Sequence, residues 1–384
     1  MNPGRRCPPD RIPELDGVRG CAIAMVLLFH FGPDLPQNRV VQHIVSWGWV
    51  GVNLFFVLSG FLITRILLRT RCRSDYFRSF YVRRALRIFP VYYWTLIAVG
   101  LLFGAVPALR PALPPLHDRV LYRFYLGNWT PLFHEHAQQL LGHFWSLVVE
   151  EQFYWVWPFV VLFVPAKRLP WVAAGTFASA LLFRMAFLGV HFFIHANTFG
   201  NTDSLMIGAL SAVAWQTPAV FRWMAHWAKY FGAGVVLIGA TVVAGDRFLG
   251  QKFTDTIGIM ALALAFGGLL WLAALGPEWV RAVFRSPVPT ALGKYSYGIY
   301  AYHQPLYVAM MRLHLVRHGW PMFILALTVS IALAVLSFEI VEKRMLKRRE
   351  RRGSAYLPFA YAERPNLRQK EGGVQLKATV VRVE

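Results

Sequence analysis

The sequence predicts an all-α protein, a polytopic transmembrane helix bundle of about ten spans. Three observations predict it. Apolar residues make up 56% of the 384-residue chain and charged residues only 15%, where an ordinary soluble domain has about 25% charged. Such a chain cannot cover a surface with water-compatible groups. Apolar runs recur at about 17–25 residues, the length that crosses a hydrocarbon core. The basic excess, 40 Lys and Arg against 19 Asp and Glu for a net charge of +21, gathers beside those runs. Aromatic and aliphatic content excludes a disordered chain. Cys7, Cys21 and Cys72 are too few and too scattered for a disulfide-stapled scaffold. A nucleic-acid partner is not expected, because the charge flanks spans instead of coating a soluble face.

The ten runs are 17–32, 47–68, 88–106, 145–164, 170–192, 200–216, 229–246, 255–275, 291–312 and 320–342. The segment 120–134 reads as a further half-span or an interfacial helix. Arg5, Arg6 and Arg11 precede the first run. Arg69, Arg71, Arg73, Arg78, Arg83, Arg84 and Arg87 follow the second, and Lys343, Arg344, Lys347, Arg348, Arg349, Arg351 and Arg352 begin the tail. Ten alternating spans place all three clusters on one side, whereas 33–46 holds only Arg39 and 193–199 no basic residue. The positive-inside rule then puts both termini in the cytoplasm. The first run is followed by HFGPDLPQNR, with no small-x-small cleavage site, and is expected to remain as a helix. The chain divides into a cytoplasmic segment 1–16, a transmembrane domain 17–345 and a loosely ordered cytoplasmic tail 346–384. No internal repeat is visible.

Ionisable groups at membrane depth are costly unless paired or hydrated, so each marks a candidate site. Arg19 and His30 lie eleven residues apart in the first run. Eleven steps of about 100° make roughly three turns, so both share one helix face, about 16 Å apart along the axis. Asp16 shares the inner end of that face. Arg84 and Arg87 are neighbours at i and i+3 just before Pro90, where a kink or a helix start is expected. Two guanidiniums so placed suit phosphate oxygens. Glu150 and Glu151 point about 100° apart, so one faces a polar centre and the other a different partner, such as Arg184. Glu150 lies one turn from Ser146. It could orient a histidine, bind a sugar hydroxyl or close a salt bridge. Asp203 and His303 also lie in or beside runs. Pro305 is expected to break the helix near His303, which serves either as a polar wall or as a satisfied core histidine. His117, His134, His136, His143, His191 and His195 match no metal-ligand spacing, and no metal is expected.

The order LDGVRG, His30, GVNLFFVLSGFLIT, FYVRRALRIFPVYY, NW, WSLVVEEQFYWVWP, TDSLMIGA and LGKYSYGIYAYHQPL resembles the acyltransferase 3 family of bacterial membrane O-acyltransferases, from about residue 11 to 345. Arg19 and His30 match its Arg–x10–His pattern, and Arg84 and Arg87 its Arg–x–x–Arg pattern. Ser146, Leu147, Glu150, Phe153 and Tyr154 match Ser-Leu–x–x–Glu–x–x–Phe-Tyr. The resemblance implies a protein of the bacterial inner membrane that moves an acetyl or other short acyl group from acyl-CoA to a carbohydrate hydroxyl. The acceptor would be a surface polysaccharide, a lipopolysaccharide or a glycosylated metabolite. Some members carry a further periplasmic domain; none is expected here, so a hand-off would need another protein.

On this reading Arg19, Arg84 and Arg87 bind the phosphates of acyl-CoA, a cosubstrate and not a bound cofactor. The pantetheine arm lies along the first helix and brings the thioester to His30. That imidazole acts as general base or transient acyl carrier. Glu150 is the second catalytic candidate, orienting His30 or the acceptor. Asp16, Ser146, Tyr154, Asp203 and His303 support the site or touch substrate. The expected partners are membrane lipid, the acyl-CoA donor and the glycoconjugate acceptor. The competing class is a transporter or flippase for a lipid-linked sugar, which also uses intramembrane Arg, His and Glu.

Overall fold

Ten helices of 15 residues or more form among the described residues, and each coincides with one of the ten apolar runs. They are α1 (Glu14–Phe31), α2 (Val50–Thr70), α3 (Tyr76–Ala105), α4 (Trp145–Phe163) and α5 (Leu169–Ala186). There follow α6 (Thr202–Gln216), α7 (Phe231–Leu249), α8 (Ile259–Leu275), α9 (Pro287–Arg312) and α10 (Trp320–Ser337). This computed structural model describes residues 12–35, 37–132, 140–188 and 191–343, with no strand among them. The expected terminal segments before residue 12 and after 343, and with them most of the basic tail, lie outside the described residues.

Seven of the described helical segments are long and apolar enough to cross a membrane, not ten. The helices that fall short are α4, α6 and α9, for identifiable reasons. Glu150, Glu151 and Gln152 lower the hydropathy of α4. Helix α6 has 15 residues, against the roughly 20 that a full crossing takes. Helix α9 carries Lys294, His303, Gln304 and five tyrosines. These are also helices that build the interior, where polar groups find protein partners. The segment 120–134 is not a span: helix Leu116–Arg123 is followed by a 3-10 helix at Gly127–Leu132.

Lipid tails are as apolar as leucine, so a membrane bundle is held by close packing and polar contacts, not by hydrophobic burial. The burial pattern separates centre from rim. The segment containing α2 is 78% buried and that containing α8 67%, whereas those containing α5, α10 and α7 are only 22%, 22% and 11% buried. Helices α2 and α6 run parallel: Asn53 donates to Ser204 at one end (3.3 Å), and Gln216 donates to the Arg65 carbonyl at the other (3.3 Å). Helix α4 also runs parallel to α2, through Ser59–Glu150 and Thr64–Trp157.

Helices α1 and α9 run parallel and nearly touch. A Cβ at Gly20 would overlap the Pro289 carbonyl, and one at Gly293 the Asp16 carbonyl. Glycine at these two positions lets the backbones approach. That approach brings the Arg19–His30 face of α1 against the face of α9 that holds Ser296, Tyr300 and His303.

Candidate active site

The Arg19 guanidinium donates to the Ser296 hydroxyl (3.2 Å), which donates to the Gly293 carbonyl one turn back (2.9 Å). From there a cavity opens between α1, α2, α3, α4 and α9. Arg19, Arg84 and Arg87 line its charged part. Phe55, Phe56, Leu58, Leu62, Ile63 and Leu147 line its apolar wall, and Ser146 and Tyr300 border it as well. Tyr297 donates to the Ile88 carbonyl (2.7 Å), fixing α9 against α3 beside the two arginines. The Arg84 guanidinium lies over the rings of Tyr154 (5.2 Å) and Phe80 (5.9 Å), a cation–π cradle that holds its charge at the cavity wall.

Glu150 faces this cavity and Glu151 is buried outside its lining, as adjacency on a helix requires. The Glu150 carboxylate accepts from Ser59 (2.6 Å) and Tyr154 (3.0 Å). It therefore sits among the arginines and does not orient His30, whose ring neighbours are Phe29 and His303. The cavity's lining residues include three guanidiniums and one carboxylate. A largely apolar cleft with three guanidiniums in its lining suits an anionic head on a thin, uncharged arm.

His30 lies beyond the cavity, in a row of three imidazoles. Its ring centroid is 4.8 Å from that of His303, which is 4.9 Å from that of His143. The expected break at Pro305 does not occur; α9 continues through it. Proline has no N–H, so the Ala301 carbonyl loses its helical donor. The His143 Nε2 takes that place at 3.4 Å. Tyr300 locks the same contact: its hydroxyl donates to the His143 carbonyl and lies 2.6 Å from the Ser146 hydroxyl. Tyr300 and Ser146 thus border both the cavity and the imidazole row, and none of the three histidines is among the cavity's lining residues. The expected continuous route from the arginines to His30 is not seen in this cavity, whose lining holds this pair and none of the three imidazoles.

The remaining candidates divide. Asp203 lies elsewhere, paired with Arg184 at 2.8 Å, both fully buried. Arg184 was a possible partner for the Glu150–Glu151 pair; it bonds Asp203 and the carbonyls of Gly200 and Thr256 instead. Asp16 stands in the first turn of α1 beside Gly293 and is not among the lining residues. His195 bonds Asp255 (2.9 Å) and His117 bonds Asp118 (3.1 Å). His134 and His136 lie outside the described residues, as does the His191 side chain. Among the described residues no group of three or more His, Cys, Asp or Glu is arranged to hold a metal ion.

Sequence reasoning did not place Ser59, His143, Ser296, Tyr297 or Tyr300 at the site. Ser296 and Tyr300 carried a signal. Ser296, Tyr300 and His303 recur at i, i+4 and i+7, one face of one helix. Ser59 is a lone hydroxyl inside an apolar run, which marks it weakly. His143 precedes its helix in a 3-10 turn and nothing in its spacing points to His303.

Comparison with known proteins bears on this arrangement. A family described as an acyltransferase domain matches residues 12–339. The chain is similar to the O-acetyltransferase OatA of Staphylococcus aureus strains NCTC 8325 and COL, 26% identical over 368 residues in each case. The match covers 88% of this chain and 58% of those proteins, so the chain spans little more than half the length of the relatives it matches. No solved structure matches.

Proposed function

The chain belongs to this acyltransferase domain family, and on that premise we propose that it is a multi-pass membrane O-acyltransferase that moves an acetyl or other short acyl group from acyl-CoA to a carbohydrate hydroxyl. The observation that carries the reading is the convergence of Arg19, Arg84 and Arg87 on one cavity whose far wall, Ser146 and Tyr300, adjoins the imidazole row. The relatives' name as O-acetyltransferases supports the reaction class and the acetyl group. A surface carbohydrate as acceptor rests on the sequence resemblance.

All ten long helices cross the inner membrane in this reading. The parallel pairs α1/α9 and α2/α6 join an odd helix to an odd one and an even to an even, as strict alternation demands. Both termini then face the cytoplasm, with the arginine cluster at the inner surface.

The donor's phosphates bind Arg84 and Arg87 bidentately, with Arg19 deeper. The pantetheine arm lies along the apolar wall and brings the thioester to Tyr300 and Ser146. These side chains turn aside to admit it to His30. The Nδ1 of His30 faces the Val26 carbonyl at 2.9 Å, and a carbonyl only accepts, so Nδ1 carries the hydrogen and Nε2 is the basic atom. Nε2 removes the acceptor's hydroxyl proton as its oxygen attacks the thioester carbon; the C–S bond breaks and the thiolate leaves, taking that proton. Glu150 orders Ser59 and Tyr154 in the cavity wall.

The purified protein in liposomes with radiolabelled acetyl-CoA and a panel of glycans tests this. Label is expected on an acceptor hydroxyl. Movement of lipid-linked sugar in the absence of any acyl donor, with no label transferred, would replace the reading by that of a transporter.

A further inference from the structure

An acyl-CoA entering the cavity from the arginines leads with its acyl group, so the opposite end of the cavity meets that group first. Which residues form that end follows from the parallel course of α2 and α4. Ser59 of α2 donates to Glu150 of α4 at 2.6 Å, which sets those two residues at one level. One turn back from Ser59 is Phe56, and one turn back from Glu150 are Ser146 and Leu147. The Phe56 ring meets that of Trp145 edge-on at 5.9 Å, at this same level. Tyr300 joins it through Ser146 (2.6 Å), one turn beyond the Ser296 that Arg19 bonds. Phe56, Ser146, Leu147 and Tyr300 all line the cavity. In the other direction Leu62 and Tyr154 share a level one turn past Ser59 and Glu150, and the Arg84 guanidinium lies over Tyr154.

The residues of this end differ in what they can yield. The Tyr300 hydroxyl gives its one hydrogen to the His143 carbonyl, so Ser146 donates to Tyr300. Such bonds exchange for bonds to a substrate carbonyl as the two side chains turn aside. The Phe56 ring has nothing to exchange. It is 1% exposed, with its edge against Trp145, and close packing alone holds it.

We propose that Phe56 selects the length of the acyl chain: with Leu147 it forms a rigid apolar stop that admits the methyl of an acetyl group and collides with a longer chain. The polar pair beside it opens the way to His30, and the phenyl ring sets how much can follow. One methylene more or less in a close-fitting apolar pocket changes kcat/KM by roughly 10–200-fold. A single ring at the end of the cavity is therefore enough to make acetyl-CoA the preferred donor. This inference rests on the acyl-transfer reading above and names the donor within it.

The experiment is the liposome assay with acetyl-, propionyl- and butyryl-CoA, each labelled in the acyl group. The unaltered protein is compared with Phe56→Leu, Phe56→Ala, Leu62→Ala and His30→Ala, with thermal unfolding in detergent as a check on folding. The unaltered protein is expected to favour acetyl over butyryl by about 100-fold in kcat/KM. Phe56→Leu should shift the acetyl-to-propionyl ratio about 10-fold toward propionyl, and Phe56→Ala should use butyryl at least as well as acetyl. Phe56→Leu carries the test alone if Phe56→Ala unfolds. Leu62→Ala shortens a side chain at the arginine end and should leave the ratios among the donors within about 2-fold, whatever its effect on KM. Ratios unmoved in folded Phe56→Leu, or moved as far by Leu62→Ala, would overturn the role of Phe56. Full turnover by His30→Ala, or no label transferred from any of the donors, would instead remove the acyl-transfer reading on which it rests.

Discussion

Two clusters of charge, one fully buried and one half-buried, stand in the same bundle and behave oppositely. In one, Arg184 and Asp203 meet at 2.8 Å with both side chains fully buried. Arg184 also bonds the carbonyls of Gly200 and Thr256, and Asp203 accepts from the Ser204 amide at 2.7 Å. Charge is matched by charge, and the group ties α5 to α6 and to the π-helical turn Thr254–Gly258 before α8. In the other, three guanidiniums share a cavity with a single carboxylate, and that carboxylate is turned to hydroxyls. An intramembrane ion is therefore a weak sign of function by itself. The stronger sign is several like charges gathered on the lining of one cavity.

The largest effect that would sharpen this contrast is on folding. Asp203→Ala leaves the Arg184 charge buried without its counter-ion and is expected to destabilise the protein by about 3–5 kcal/mol. Thermal unfolding in detergent would show it; an unchanged midpoint would mean that the pair is not structural.

The cavity arginines are expected to do the reverse. Arg84→Ala combined with Arg87→Ala removes two charge-assisted contacts of about 1.5–3 kcal/mol each. KM for acyl-CoA should rise about 100-fold or more while the unfolding midpoint changes little. Donor kinetics equal to those of the unaltered protein would remove the phosphate site from this cavity.

Tyr154→Phe takes one hydrogen bond from Glu150 and leaves the ring beneath Arg84. A loss of about 1 kcal/mol is expected, read as a several-fold fall in kcat/KM. A fall as large as that of the double arginine variant would mean that the phenol touches substrate. The smallest change belongs to Pro305→Ala. It returns an amide to the Ala301 carbonyl, which then competes with His143. Activity is expected to fall by a few-fold while helix α9 gains stability, and a fall in stability would contradict the assignment of that carbonyl.

Much of the framework is legible in the chain. The ten helices coincide with ten apolar runs, and seven of the described helical segments reach the apolar length that a hydrocarbon layer demands. The spacing of Arg19 and His30 forecast one face, and both residues do meet α9. The i, i+3 pair Arg84 and Arg87 lines one cavity. Other parts were misread for physical reasons. The sequence predicts a break at Pro305, yet α9 continues and the His143 imidazole donates to the Ala301 carbonyl in place of the missing amide. Orienting His30 is one of several roles the sequence leaves open for Glu150, and its carboxylate bonds Ser59 and Tyr154 instead.

The chain alone determined what repeats along one helix: length, apolarity, the faces that carry Arg19, His30, Arg84 and Arg87, and the adjacency that turns Glu150 and Glu151 apart. Periodicity is a property of a single helix, so it can be counted before any packing exists. Tertiary structure decided which faces meet. It joined Asp203 to Arg184, set His143 against the carbonyl of Ala301, and placed Tyr300 and Ser146 at the boundary between cavity and imidazole row. Those contacts join residues far apart in the chain, and their geometry depends on how closely Gly20 and Gly293 let α1 and α9 approach, a distance that no local pattern encodes.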